Sequence, residues 1–294
     1  NKPGRGKILS RFFGIALPIS GGAVLNSSLR TVENIIVPNN LTKYNSSREQ
    51  SLSEFGAIKG MALPLIFFPS SLLSAFSTLL MPEITESKSL KQHKRLERII
   101  NQSMHLCLTI SILISGLFTV FADELGQIIY GSSEVGFYIK VLAPLIPFMY
   151  IESIVDGILK GLGQQVSTLK YGIADSCIRI ALILVLLPFT GIKGFLFVMI
   201  VSNCFTPILN MARMIKVTGI KLKWSRILIK PCIGIVISCL ISKFGINILN
   251  GIINVPVLII ILIGASAATL SYMGFLYIFK CLPSIKKLRE LKKG

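Results

Sequence analysis

Acidic side chains are scarce in this chain. Only 13 Asp and Glu stand against 31 Lys and Arg in 294 residues, and all charged residues together make up 15%. An ordinary soluble domain carries about a quarter of its residues as charges, so a chain this poor in charge and 52% hydrophobic is not one. Histidine is nearly missing too. His93 and His105 have no acidic or cysteine partner at ligand spacing, which excludes a recognisable zinc motif and leaves the expected metal and cofactor set empty. The six cysteines (Cys107, Cys177, Cys204, Cys232, Cys239, Cys281) form no CxxC pair and sit in or beside apolar runs, as small buried or lipid-facing residues do. No GxxxxGK[ST] phosphate loop, G-x-S-x-G elbow or H-E-x-x-H occurs, so the sequence offers no enzyme signature.

What the chain has is basic residues, and they are sorted. Of the 31, 22 fall in the N-terminal stretch, residues 83–98, 160–170 and 213–226, and the C-terminal tail. The connections between those places hold only Lys43, Arg48, Lys140 and Lys193, alongside Glu49, Glu54, Asp123, Glu124 and Glu134. Cytoplasmic loops of membrane proteins keep Lys and Arg while translocated loops lose them, so the alternation reads as topology. The net charge of +18 is thereby explained without nucleic acid, which is not an expected partner.

A helix needs about 20 apolar residues to cross the hydrocarbon core. Eight segments meet that length: 12–37, 55–81, 99–121, 139–159, 168–188, 193–212, 227–249 and 256–279. Eight crossings that start inside end inside, which puts the basic tail from Lys286 to Lys293 on the same side as the basic N-terminus. The expected fold is therefore all-α, a multi-pass protein of the cell membrane with both termini cytoplasmic. Asn stands first instead of Met, and Asn1–Arg11 reads as a cytoplasmic linker, not a signal peptide, so the chain is expected to be the C-terminal part of something longer.

Prolines break several of these segments. Pro18 with Ser20-Gly21-Gly22, Pro64 with Pro69, and Pro144 with Pro147 remove backbone hydrogen bonds in mid-span. In lipid such gaps must be covered by neighbouring helices or face water. Pro18, Pro64 and Pro144 are accordingly candidate hinges, with a static packing kink as the simpler alternative.

Charges at membrane depth are costly and mark either a pathway or a fixed ion pair. Arg30 and Glu33 lie three apart on a first segment made polar by Asn26, Ser27, Ser28, Thr31 and Asn34, and Lys59 begins the next. Two cations to one carboxylate suit an anionic ligand such as a phosphate, which makes Arg30, Glu33 and Lys59 the candidate substrate-binding set. By topology these three lie in the outer part of the membrane, whereas a second group, Glu152 and Asp156 on one helix and Asp175 and Arg179 on the next, falls in the cytoplasmic half. The tight turn Gly161–Gln165 brings those helices together, predicting that Arg179 pairs with Glu152 or Asp175, either as a hairpin-fixing ion pair or as part of a cation-coupling site.

Particular residues resemble a known family. The run Gly60-Met61-Ala62-Leu63-Pro64-Leu65, through Pro69 to Leu80-Met81-Pro82-Glu83-Ile84, is similar to the eighth helix of the stage V sporulation protein B and polysaccharide biosynthesis family. Ala16-Leu17-Pro18-Ile19 with Val37-Pro38, Ile129-Tyr130-Gly131, Leu142–Phe148 and Gly157–Gln164 resemble it as well. The resemblance implies membership in the multidrug/oligosaccharidyl-lipid/polysaccharide exporter superfamily, beside the peptidoglycan lipid II flippases. It implies a fourteen-helix fold, two six-helix bundles around a cavity plus two more, of which the eight segments here are helices seven to fourteen. The expected divisions are then a linker at 1–11, the second bundle at 12–212, two additional helices at 213–280 and a basic tail at 281–294. A missing N-terminal six-helix half would be a partner, together with membrane lipids.

The function so implied is flipping of a polyprenyl-diphosphate-linked saccharide, a peptidoglycan precursor, by alternating access. An exporter of lipid-linked polysaccharide repeat units and a cation-coupled drug antiporter are the alternatives. Lys59 stands where the flippases carry a cavity arginine just before a Leu-Pro step. The last two helices would form an apolar groove for the polyprenyl tail.

Overall fold

A computed structural model describes the backbone of residues 5–45, 47–252 and 256–282, and the side chains of 20–45, 47–246 and 256–282. Every regular element among these is a helix. Helix α1 runs Arg5–Asn45, starting inside the stretch expected to be a linker, and is followed by α2 (Arg48–Gly56), a π-helical turn (Ala57–Ala62), α3 (Leu63–Phe67) and α4 (Ser70–Ser89). Next come α5 (His93–Val120), the short α6 (Ala122–Tyr130), α7 (Ser133–Leu142), a 3₁₀ turn (Ala143–Leu145) and α8 (Ile146–Gly161). Helix α9 (Gln165–Thr218), a second π turn (Ser225–Ile229), α10 (Lys230–Ile252) and α11 (Val257–Ile278) complete the described chain.

Five helical stretches are long and apolar enough to cross a membrane: His93–Val120, Ser133–Gly161, Gln165–Thr218, Ser225–Ile246 and Val257–Ile278. The bent pair Arg48–Phe67 and Ser70–Ser89, with 58° between its halves, makes a sixth if it is one broken span. The 54 residues of α9 would extend roughly 80 Å if straight, far beyond a ~30 Å hydrocarbon core. They do not run straight. Gly191 has φ 59° and ψ −139°, outside helical space, and the arms on either side fold back on each other. Gln164 at the start of the first arm accepts from Arg213 on the second at 2.7 Å, and Asp175 accepts from Ser202 at 2.8 Å. The expected segments 168–188 and 193–212 are these two arms. Reaching eight crossings also requires the bent pair and α1. The apolar first part of α1, residues 12–19, lies outside the residues with described side chains.

The basic connections meet at one end of the bundle. Lys88 donates to the Leu162 carbonyl at 2.6 Å, which joins 83–98 to 160–170. Arg213 reaches Gln164, and Arg226 donates to the Lys280 carbonyl at 3.0 Å. At the opposite end Asn45 bonds Glu54, Lys140 pairs with Asp123 at 2.7 Å, and a Cβ added to Gly191 would meet the Tyr44 ring. That end holds α6 and α7, capped in ordinary ways. Asp123, Glu124 and Glu134 sit in their first turns, where the helix dipole favours negative charge, and Ser132 caps α7 by accepting from the Val135 amide.

Two of the proline breaks are repaired by a neighbouring helix. Pro147 cannot donate to the Ala143 carbonyl four residues back, and the Ser115 hydroxyl of α5 donates there instead, at 2.8 Å. At the Pro69 bend, Tyr150 of α8 donates to the Ile66 carbonyl at 2.6 Å, while Ser70 and Ser71 donate to the carbonyls of Phe67 and Phe68. The sharp bend thus falls at Pro69, whereas Pro64 sits on the first turn of α3, where its missing N–H costs little. Pro144 lies in the 3₁₀ turn between α7 and α8. Helix α1 continues through Pro18, whose side chain lies outside the described residues.

Helices α4 and α8 approach closely because Gly157 has no side chain: a Cβ there would collide with the Ser77 hydroxyl, which itself donates to the Ser153 carbonyl at 2.7 Å. Replacing Tyr150 by Phe leaves the Ile66 carbonyl unpaired in a buried place and is expected to cost about 1–3 kcal/mol. Thermal unfolding in detergent measures it. Tyr130→Phe, whose hydroxyl meets the Met61 carbonyl on the exposed side, should shift the midpoint less.

Candidate functional site

The charges inside the apolar segments converge on Glu33. Its residue is only 4% exposed, and its two oxygens accept from different helices. Oε1 faces Lys59 Nζ at 3.4 Å and Oε2 faces Arg179 Nη1 at 3.2 Å. Arg179 also donates through Nη2 to Asp175 at 2.7 Å and to Ser202 at 2.6 Å, and Ser202 donates on to Asp175. Lys59 is steadied further by donating to the side-chain Oδ1 of Asn34 at 3.2 Å and lies 5.7 Å from the centre of the Phe55 ring, a cation–π distance.

Local structure explains why these groups meet. Helix α1 and the first arm of α9 run parallel, with Gly22 against Leu169, Asn26 against Ser176, Glu33 against Arg179 and Tyr44 against Gly191. Arg179 follows Asp175 by one helical turn, so both point to the same face. Lys59 projects from the π-helical turn Ala57–Ala62, just ahead of Pro64. That proline cannot bond the Gly60 carbonyl, and the wider turn, closed by the Leu63 amide on the Ile58 carbonyl, sets the direction of the lysine.

The geometry joins two groups that the sequence placed at different depths. Arg30, Glu33 and Lys59 were expected in one half of the membrane, and Glu152, Asp156, Asp175 and Arg179 in the other. Arg179 in fact reaches Glu33, and the two sets are one network. Of the two partners predicted for Arg179, Asp175 is the one it takes. The carboxylate surplus expected on α8 is also smaller, because Asp156 pairs with Lys160 at 2.6 Å, one turn along. Glu152 is half-buried, makes no ion pair among the described residues, and feels the charges of Asp175, Asp156, Arg179 and Arg30.

The excess of positive charge assigned to Arg30 and Lys59 sits mainly on Arg30. Lys59 and Glu33 satisfy each other, whereas Arg30 is exposed and has no ion-pair partner among the described residues. Asn34 on α1 and Ser71, Ser74 and Thr78 on α4 are exposed as well, among apolar neighbours such as Ile35, Leu72 and Leu79. An arginine at membrane depth is costly against lipid, so Arg30 is expected to border protein or water. Sequence reasoning passed over Ser202 and Ser176, and gave Asn34 and Lys160 no partner. For Ser202 a signal existed, since Ser202, Thr206 and Asn210 recur every fourth residue in an otherwise apolar arm. No cluster of three or more His, Cys, Asp or Glu able to hold a metal occurs among the described residues.

Comparison with known proteins agrees with this architecture. Residues 49–185 match the MatE family. Stage V sporulation protein B of Bacillus subtilis (strain 168) is 27% identical over 216 residues, covering 73% of this chain and 42% of that protein. Sporulation protein YkvU of the same organism is 20% identical over 183 residues, covering 62% of this chain and 41% of that protein. The chain spans about two fifths of the length of these relatives.

Removing one member of a buried ion pair strands the other. Arg179→Met and Asp175→Asn are each expected to destabilise by about 3 kcal/mol, with the double variant closer to wild type than their sum. Denaturant unfolding of the four proteins measures the coupling. Simple additivity would mean that the two side chains do not act as a pair.

Proposed function

We propose that this chain, which carries a MatE family domain and is homologous to stage V sporulation protein B, works in a membrane exporter that flips a polyprenyl-diphosphate-linked saccharide. The homology fits the multidrug/oligosaccharidyl-lipid/polysaccharide exporter superfamily, and a multi-pass helical membrane protein is what that superfamily requires. The substrate on this reading is a peptidoglycan precursor, moved from the cytoplasmic to the outer leaflet, with the basic end of the bundle cytoplasmic. The observation that carries the proposal is the exposed Arg30, without an ion-pair partner among the described residues, one turn from the Glu33 that holds Lys59. A diphosphate is a dianion or more, and an unpaired arginine with a neighbouring ammonium offers it charge and hydrogen-bond donors in a site shielded from bulk water.

Glu33 serves this reading as an anchor. Its burial keeps it from the ligand, and its carboxylate positions both Lys59 and Arg179. The open face of α1 and α4 is the surface a second six-helix half would cover to complete the cavity. Rocking of the two halves would draw on the breaks at Pro64–Pro69 and Pro144, and on Pro18. An apolar groove of about 600 Å³ between α5, α8 and α10, lined by residues such as Ile112, Phe148, Ile235 and Leu240, has the character needed for a polyprenyl tail. Its walls come from α10 but not α11, so only one of the two last helices would contact the tail.

A second reading is favoured by Glu152. A carboxylate without an ion pair in a half-buried place can take up a proton or a cation, as a coupled antiporter requires.

Lys59→Ala and Arg30→Ala should each weaken binding of a short-chain prenyl diphosphate to the chain in nanodiscs at least tenfold, since charge-assisted hydrogen bonds contribute about 1.5–3 kcal/mol. Calorimetry reads this directly, and Lys59→Arg should retain affinity. Wild-type affinity in Lys59→Ala would remove Lys59 from the site. For the coupling role, Glu152→Gln should flatten the pH dependence of transport in reconstituted vesicles; transport with an unchanged pH profile would exclude it.

A further inference from the structure

A second concentration of positive charge lies well away from Glu33, at the basic end of the bundle. The start of α5 and the α9–α10 connection enclose a cavity of about 400 Å³. Lys94, Arg98, Lys221, Lys223 and Arg226 line it, against a single carboxylate, Glu97. Among the described residues none of these five cations makes an ion pair, although Arg226 donates to the Lys280 carbonyl. Five mutually repelling cations around one hollow are unfavourable unless an anion enters it.

The cavity also has a polar wall that protein atoms leave unsatisfied. His105 is 9% exposed, lines the cavity, and its Nε2 has no hydrogen-bond partner. One turn earlier, Gln102 lines it too, and its buried Oε1 is likewise unpartnered. Turning that amide over exchanges oxygen for NH₂, so both side chains can donate into the hollow. Buried polar atoms without partners are uncommon in folded proteins and mark a place where something else supplies the bond.

From this we infer a binding site for a phosphate-bearing anion between α5 and the α9–α10 connection, with the headgroup of an anionic phospholipid as the occupant. The lipid is favoured over free phosphate by what adjoins the cavity. The π turn and α10 leave it carrying Ile229, Ile233, Ile237 and Ile241 exposed along one face, an apolar stripe clear of the groove that Leu240 lines and one against which acyl chains can lie. Basic pockets between helices at the membrane surface are suited to such headgroups, each Lys or Arg contributing about 1 kcal/mol. The site is separate from the diphosphate site around Arg30 and does not depend on it. Its occupant would brace the junction that orients α10 against α5.

The chain's one tryptophan, Trp224, stands beside Lys223 and Arg226 and serves as the reporter. Quenching of Trp224 by bromo-acyl phosphatidylglycerol, relative to bromo-acyl phosphatidylcholine, gives the preference for the anionic headgroup in mixed vesicles. Wild type should prefer phosphatidylglycerol. Arg98→Gln/Lys223→Gln should reduce that preference roughly thirty-fold, the effect of two such cations. His105→Leu, which keeps every Lys and Arg, should reduce it about tenfold through the lost hydrogen bond to a charged group. Lys170→Gln/Lys216→Gln, which removes two exposed cations that do not line the cavity, should retain it.

Equal losses in the two double variants, or no loss in His105→Leu, would reduce the effect to general surface charge and overturn the inference. Inorganic phosphate separates the two sources. Failure to displace phosphatidylglycerol from wild type assigns the site to the lipid headgroup, and displacement assigns the same residues to soluble phosphate.

Discussion

Glu33 is one carboxylate shared by two cations from two other segments, and the interior of the bundle is arranged around it. Lys59 comes to it from the π turn ahead of Pro64 and Arg179 from the first arm of α9. Arg179 in turn binds Asp175 and Ser202, so the second arm is tied in through the same guanidinium. In hydrocarbon an isolated charge is expensive, and each of these groups is tolerable only because the others are present. That mutual dependence fixes the register of α1 along α9 and directs Arg30, one turn back on α1, to the open face.

The same rule governs the backbone. Prolines and bends free carbonyls that water cannot reach, and the chain answers with hydroxyls from neighbouring helices: Ser115 for Ala143, Tyr150 for Ile66. A break repaired from a neighbour is a packing contact as well as a bend. It lets α3 and α4 turn by 58° without leaving orphaned groups, and it couples that bend to the position of α8. Any motion of the bundle must therefore keep or exchange these hydroxyl bonds, which favours helices moving as repaired pairs.

The membrane character, the helical class and the grouping of basic connections were legible in the sequence, because hydropathy and positive-inside bias act on each segment separately. The hairpin turn before Gln165 and the ion pair Asp175–Arg179 were legible too, since both follow from spacing along a helix. The division of α9 was legible as well, because segment length and Lys193 separate 168–188 from 193–212, its two arms on either side of Gly191. Two things were not. Lys160 captures Asp156 at a spacing that was readable but was read as part of a basic loop. Most of all, the depth count that separated Glu33 from Arg179 treated helices as straight and equal, whereas α1 is 41 residues long and α3–α4 is bent.

By itself, then, the sequence determined the membrane character of this protein and the sorting of its basic connections. Transfer free energies of single residues decide those properties, and they need no knowledge of neighbours. Which charges neutralise one another, which cation stays free, and which cavity has an unsatisfied wall were decided only by tertiary structure. Those outcomes depend on distances of a few ångströms between residues up to about 150 positions apart in the chain. A residue such as Arg179 has the same intrinsic chemistry in either description. Only its placement against Glu33 makes it part of the interior, and only the lack of such placement leaves Arg30 available to a ligand.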